Sequence, residues 1–241
     1  MFNRTFCFCF LPVWMLFAKK KMNPSNNNIL VTGFGPFGEH TINASWEAVS
    51  ILPDKIAQYN IIKKQIPVSY KHVEENVPLL WDLHNPKLVI HVGVSSVATE
   101  IQLETCANKT GYARTDIDDS CPAKGQAFCN ESSNSECLKT NLNTQTICDR
   151  LNQHPQLKAS TSSDSGRYLW EFIYYVSLNQ NNKNTLFVHV PPLDQPFSKS
   201  QLANALEIII KCALELIEEE DDSCTCKELP RIYKNGRAAA F

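Results

Sequence analysis

The chain has 241 residues, of which 43 % are hydrophobic and 20 % charged, and its formal net charge is −2. This length can bury the core of one sizeable α/β domain, and the apolar and charged shares are those of a water-soluble globular protein. The near-neutral balance excludes a basic surface for nucleic acid or anionic lipid.

At the start, Arg4 precedes an apolar run from Phe6 to Ala18, and Lys19, Lys20 and Lys21 follow it. The run is shorter than the roughly 20 apolar residues of a membrane-spanning helix. It resembles a signal-peptide core, yet Leu16-Phe-Ala18 is a poor small-x-small cleavage site. Two readings stand. One is a functional start at or near Met22, or a disordered extension, in a cytoplasmic protein. The other is secretion, under which the sequons at Asn3, Asn43, Asn108 and Asn130 would matter. The expected organisation is an extension over residues 1–27, a domain over 28–219 and a polar tail over 220–241.

Ile29 to Thr32 reads as a buried strand ending in a glycine turn. A helix follows from about Asn43 to Leu52, with Thr41 or Asn43 as its cap. Ile61 to Val68 reads as a strand and His72 to Leu83 as a helix with Val73, Val77, Leu80 and Trp81 on one side. Leu88 to Val92 is the clearest central strand, and Ala98 to Leu103 is a further one. From about Thr105 to Leu138 the chain is polar and rich in Ser, Asn, Asp and Cys, which predicts a long loop. Helices are expected at Gln145–Leu151 and Tyr168–Leu178, a buried strand at Leu186–Val190, and a last helix capped by Ser200. That helix places Leu202, Leu206, Ile209, Ile210, Ala213 and Ile217 on one face and is expected to end at Glu218–Asp222. Alternating elements with strands apolar on both faces predict a single three-layer α/β/α domain, with a mixed, mostly parallel sheet and helices on both faces. Ligands of such folds bind beyond the carboxyl ends of the strands, where Thr32, Gly93, Glu104 and His189 are expected.

The ten cysteines show no paired spacing for zinc. Reduced thiols are expected if the protein is cytosolic, although Cys121, Cys129 and Cys137 recur at eight-residue intervals. No metal or organic cofactor is implied, and oligomeric state is not legible.

Gly33-Phe-Gly-Pro-Phe-Gly38 holds three of the eight glycines. Glycine permits positive φ and close approach, while Pro36 stiffens the turn. Phe34 and Phe37 would then grip a small flat ring, or else simply be core. The spacing is not that of a phosphate loop. Taken singly, Glu104 reads as a solvated strand-end carboxylate, His189 as a satisfied core histidine and Asp164 as a turn residue.

Together these segments say more. Val31-Thr-Gly-Phe-Gly-Pro-Phe-Gly-Glu-His-Thr-Ile-Asn-Ala-Ser-Trp46 is followed by Val89-Ile-His-Val-Gly-Val-Ser95, Leu103-Glu-Thr-Cys106 and Gly111-Tyr112. Ser163-Asp-Ser-Gly-Arg-Tyr-Leu169 and Phe187-Val-His-Val-Pro-Pro-Leu193 complete the series. In order and spacing, from about Ile29 to Glu218, the chain resembles the pyroglutamyl-peptidase I family, the vertebrate-type members most. The resemblance implies a cysteine omega-peptidase that removes N-terminal pyroglutamate from peptides. In that mechanism a thiolate attacks the amide, a histidine moves protons and a glutamate orients the histidine. It assigns the glutamate to Glu104, the histidine to His189 and the grip on the pyrrolidone ring to Phe34 and Phe37. The cysteine falls on Trp170.

An indole offers only an N–H donor, and removing the nucleophile of a triad costs on the order of a million-fold in turnover. Three readings follow: a pseudoenzyme, an active peptidase by a variant route or a misread position, and a binding module that holds a pyroglutamyl end or a protein partner.

Overall fold

The computed structural model describes residues 27–38, 41–127 and 135–225. The expectations for the apolar-basic start, for Met22 and for the chain beyond 225 lie outside the described residues, as do Cys7, Cys9, Cys129 and Cys226. In chain order the elements are β1 (Asn28–Phe34), α1 (Ala44–Ser50), β2 (Lys55–Ile56), β3 (Tyr59–Ile66), α2 (Tyr70–His84), β4 (Leu88–Val94), β5 (Ile101–Glu104) and β6 (Cys106–Asn108). There follow β7 (Cys137–Lys139), α3 (Thr144–Asn152), β8 (Ala159–Ser162), α4 (Leu169–Gln180), β9 (Thr185–Val190) and α5 (Lys199–Thr225).

Seven strands form one sheet in the order β2-β3-β1-β4-β9-β5-β8. The neighbours β3/β1, β1/β4, β4/β9 and β5/β8 are parallel, while β2/β3 and β5/β9 are antiparallel. The central strands β1, β4 and β9 are buried along nearly their whole length because helices cover both faces. On one face α1, α3 and α5 pack through Ala48, Ile147, Leu206 and Ile210. On the other, α2 and α4 pack through Val73, Val77, Phe172 and Ile173. The fold is the three-layer α/β/α domain that the pattern of strands and helices predicts.

The local signals act as expected at several ends. Asn43 caps α1 by accepting from Ser45 N at 3.1 Å. Gly33 serves close approach rather than positive φ: a Cβ there would lie 2.7 Å from Trp46 Cα, so α1 could not seat against β1. Three expectations need correction. The predicted loop from Thr105 to Leu138 contains a two-stranded antiparallel sheet, β6/β7. The cap of α5 is Ser198, not Ser200: Gln201 N donates to Ser198 Oγ at 3.3 Å and Ser198 N donates to Gln201 Oε1 at 2.9 Å, a reciprocal capping box. The acidic stretch Glu218–Asp222 does not end α5, which continues to Thr225. Tyr59 Oη donates to Glu218 at 2.7 Å and Lys87 pairs with Asp221 at 2.5 Å, so the sheet edge holds the acidic turns.

Candidate functional site

His189 stands near the carboxyl end of β9, opposite Gly93 of β4 and Gln102 of β5. Glu104 lies one diagonal step lower, opposite Phe187. Because β5 runs antiparallel to β9, the carboxyl end of β5 points away from the site, and the carboxylate reaches the histidine from beneath. Glu104 is therefore not a solvated strand-end residue; it is 0 % exposed. His189 Nδ1 donates to Glu104 Oε1 at 2.7 Å, and Tyr174 Oη donates to the Glu104 carbonyl at 2.8 Å. Glu104 Oε2 is buried without a hydrogen-bond partner among the described residues. With Nδ1 committed, a neutral His189 has its acceptor lone pair on Nε2. His189 is 5 % exposed and lines a cavity of about 730 Å³. Thr32, expected beside it, is instead buried in β1 with its hydroxyl on His91 at 2.7 Å.

Trp170 is the second residue of α4, 8 % exposed, and it also lines the cavity. Its indole meets three rings edge-on, with centroids 4.9 Å from Phe34, 5.4 Å from Phe37 and 5.1 Å from Tyr168. Phe34 is completely buried behind it, whereas Phe37 lines the cavity. The fold thus brings Trp170, Phe37 and His189 to the walls of one cavity, with Phe34 packed against Trp170 and Glu104 bonded to His189 in the layer below. Arg114, also on that wall, lies 4.1 Å over the Tyr168 ring. Among the described residues no side chain caps the start of α4.

The reading of single residues missed Glu171. It is 0 % exposed and takes five hydrogen bonds: from Asn108 N and Nδ2 at 2.8 Å each, from Arg167 N at 2.7 Å, and from Arg167 Nη1 at 2.9 and 3.0 Å. Burying a carboxylate is tolerable only with such compensation. The contacts tie β6 to the turn at Gly166 (φ 91°) and Arg167 (φ 49°), which delivers the chain into α4. The i,i+4 spacing of Arg167 and Glu171 is the signal that could have found the pair. Asp164 is a turn residue, accepting from Gly166 N at 3.2 Å and Arg167 Nη1 at 2.9 Å.

Cys106, Cys121, Cys137, Cys148 and Cys212 are free thiols. Cys106 is buried beside the site with its thiol on the Ser163 carbonyl at 3.3 Å, and burial first, then the neighbouring Cys137, pushes its pKa up, so it stays protonated. Among the described residues no group of three or more His, Cys, Asp or Glu side chains could hold a metal ion. Likewise no described helix is long and apolar enough to cross a membrane.

Comparison with known proteins fits this architecture. Residues 27–230 match the family model described as pyroglutamyl peptidase. The chain is 40 % identical to mouse pyroglutamyl-peptidase 1 over 86 % of its own length and 100 % of that protein's. It is 31 % identical to the human pyroglutamyl-peptidase 1-like protein, over 64 % of this chain and 76 % of that one. In fold it is similar to the pyrrolidone carboxyl peptidase of Thermococcus litoralis, with TM-score 0.72 at 20 % identity, covering 80 % of this chain and 96 % of that one. The site therefore belongs to an α/β peptidase-type domain. The chain is a member of the pyroglutamyl peptidase family.

Proposed function

We propose that this protein keeps the pyroglutamyl-peptidase scaffold, with His189 as the family's base and Glu104 as the carboxylate that orients it, but has lost the peptidase reaction. In this reading Trp170 stands where the nucleophilic cysteine would be. Two physical losses follow. No thiolate is present to form the acyl-enzyme, and the indole fills the space in which a pyrrolidone ring would lie. The observation that carries the reading is the contact of the Trp170 indole with Phe34 and Phe37, the two rings expected to grip the substrate. The seat for the ring is occupied by the chain's own side chain. Cys106 offers no rescue, since its thiol is protonated and bonded to a carbonyl.

The test is hydrolysis of a fluorogenic pyroglutamyl amide by the natural protein and by Trp170→Cys. The natural protein is expected to be silent, and Trp170→Cys, which restores nucleophile and space together, is expected to turn over. Turnover by the natural protein above about one-thousandth of the Trp170→Cys rate would overturn the reading, given the size of a nucleophile loss.

We also assign the protein to the cytoplasm. Asn43 is 3 % exposed and its Nδ2 donates to the Gly35 carbonyl at 3.0 Å, while Asn108 Nδ2 donates to Glu171. A glycan on either amide nitrogen would crowd its hydrogen bond to the Gly35 carbonyl or to Glu171. The sequons at Asn3 and Asn130 lie outside the described residues. Fluorescence of the tagged protein in the secretory pathway, with glycosylated mass, would contradict this assignment.

A further inference from the structure

The Glu104–His189 pair is intact, and Trp170 walls its cavity without filling it. The remaining space, about 730 Å³, is lined by polar residues such as Ser95, Ser162 and Ser165 and by apolar ones such as Ile42, Val94 and Leu193. It can admit a small acyl group, although the ring seat behind the indole is closed. We propose that the protein hydrolyses small activated esters in this cavity, with water as the nucleophile and His189 as its general base. The proposal rests on the reading above in one respect only: position 170 supplies no nucleophile.

The chemistry balances without a covalent intermediate. His189 Nε2 takes a proton from water as the water oxygen bonds to the ester carbonyl carbon. The uncapped first turn of α4 stands at this wall, and its N–H groups favour negative charge on the carbonyl oxygen. Collapse of the tetrahedral species breaks the bond to the aryl oxygen. The aryloxide leaves with that electron pair and recovers the proton from the imidazolium. Ester and water become acid and phenol, with nothing oxidised or reduced. Glu104 is a positioning residue: its Oε1, 2.7 Å from Nδ1, fixes the tautomer that leaves Nε2 free to accept. An unactivated amide is a poor substrate for this route, because its amine leaves only when protonated and water is a weak attacking group. That is why the same residues are compatible with silence toward pyroglutamyl amides.

The probes are 4-nitrophenyl acetate and butyrate, followed in the steady state after any initial burst, because exposed thiols such as Cys121 are acylated only once. The natural protein is expected to turn over catalytically. His189→Gln, whose amide can still donate to Glu104, is expected to lose at least about a hundredfold, the low side of general-base contributions. His154→Ala, at an exposed histidine far from the pair in sequence, is expected to leave the rate unchanged. Ser96→Trp, which narrows the cavity without touching the pair, is expected to lower kcat/KM for butyrate more than for acetate, and solvent deuterium is expected to slow the natural enzyme. An unaltered rate in folded His189→Gln, or indifference of both esters to Ser96→Trp, overturns the proposal. The two readings fail separately. Esters untouched with pyroglutamyl amide also untouched removes only this one, whereas turnover of pyroglutamyl amide by the natural protein removes the loss of peptidase function.

Discussion

His91 and His189 sit in nearly the same sequence, Ile90-His91-Val92 and Val188-His189-Val190, on neighbouring parallel strands. The register pairs His91 with Phe187 and Gly93 with His189, so both rings stand on one face of the sheet, two register positions apart. About 7 Å of strand rise separates opposite environments. His91 is sealed: Nδ1 meets Thr32 Oγ1 at 2.7 Å and Nε2 meets Ser177 Oγ at 2.6 Å, while Trp81 Nε1 donates to the same serine at 3.1 Å. Burial pushes its pKa down to about 3, and both nitrogens are spent on the fold. His189 commits one nitrogen to a carboxylate and lines a cavity. Local sequence does not separate a sealed histidine from one that lines a cavity here. Depth along the strand does.

The comparison is tested most strongly by removing one member of the open pair. His189→Leu leaves Glu104 buried and uncompensated, which is expected to cost about 3–5 kcal/mol in urea unfolding. His91→Ala comes next. It deprives the Thr32 and Ser177 hydroxyls of their imidazole partner, while Trp81 Nε1 still donates to Ser177, and it opens a small cavity, for an expected loss of about 3 kcal/mol. A loss below about 1 kcal/mol would show that the sealed network is not a structural element.

Smaller per unit, but more diagnostic, is the acid response of His91. Its folded pKa of about 3 lies below the unfolded value of 6.5, so between these values the unfolded chain binds the extra proton. The stability linked to this ring is therefore complete above pH 6.5 and declines as pH falls toward 3, by up to about 1.4 kcal/mol per pH unit. Replacing the ring with His91→Asn is expected to flatten that slope in melts between pH 6.5 and 4. An unchanged slope would place the acid sensitivity on other groups.

Much of this molecule could be read from the chain. The apolar runs of β1, β4 and β9 and the cap at Asn43 are local signals, and they place the ends from which the site is built. Edge strands are another matter. Lys55–Ile56 has only two residues, and Ala159-Ser-Thr-Ser162 has no apolar run, because both lie at the sheet margins, where one face or edge meets solvent or a covering helix. The small β6/β7 sheet joins segments separated by a long polar stretch, and pairing at that distance leaves no local pattern. The antiparallel insertion of β5 is likewise tertiary. It is why Glu104 could be assigned to His189 by resemblance but not by strand-end reasoning. Glu171 was missed for a similar reason: a carboxylate in an apolar helix gains its partners from Arg167 and Asn108, and only the former is close in sequence.

The finest test asks what the open pair does for stability. Glu104 Oε2 is buried with no hydrogen-bond partner among the described residues, so within them the pair is incompletely satisfied, unlike His91. Replacing both partners of a buried hydrogen-bonded pair by apolar residues of similar volume is often neutral or stabilising. The double replacement Glu104→Leu with His189→Leu is therefore expected to lie within about 1 kcal/mol of the natural protein, or above it, even though His189→Leu alone is costly. A double-mutant cycle in urea measures this directly. A double variant destabilised by more than about 2 kcal/mol would make His189 a structural histidine like His91 and would dissolve the contrast between them. A neutral or stabilised double variant would mean that the fold does not need the pair, and that its persistence in a chain with tryptophan at position 170 points to the cavity it faces.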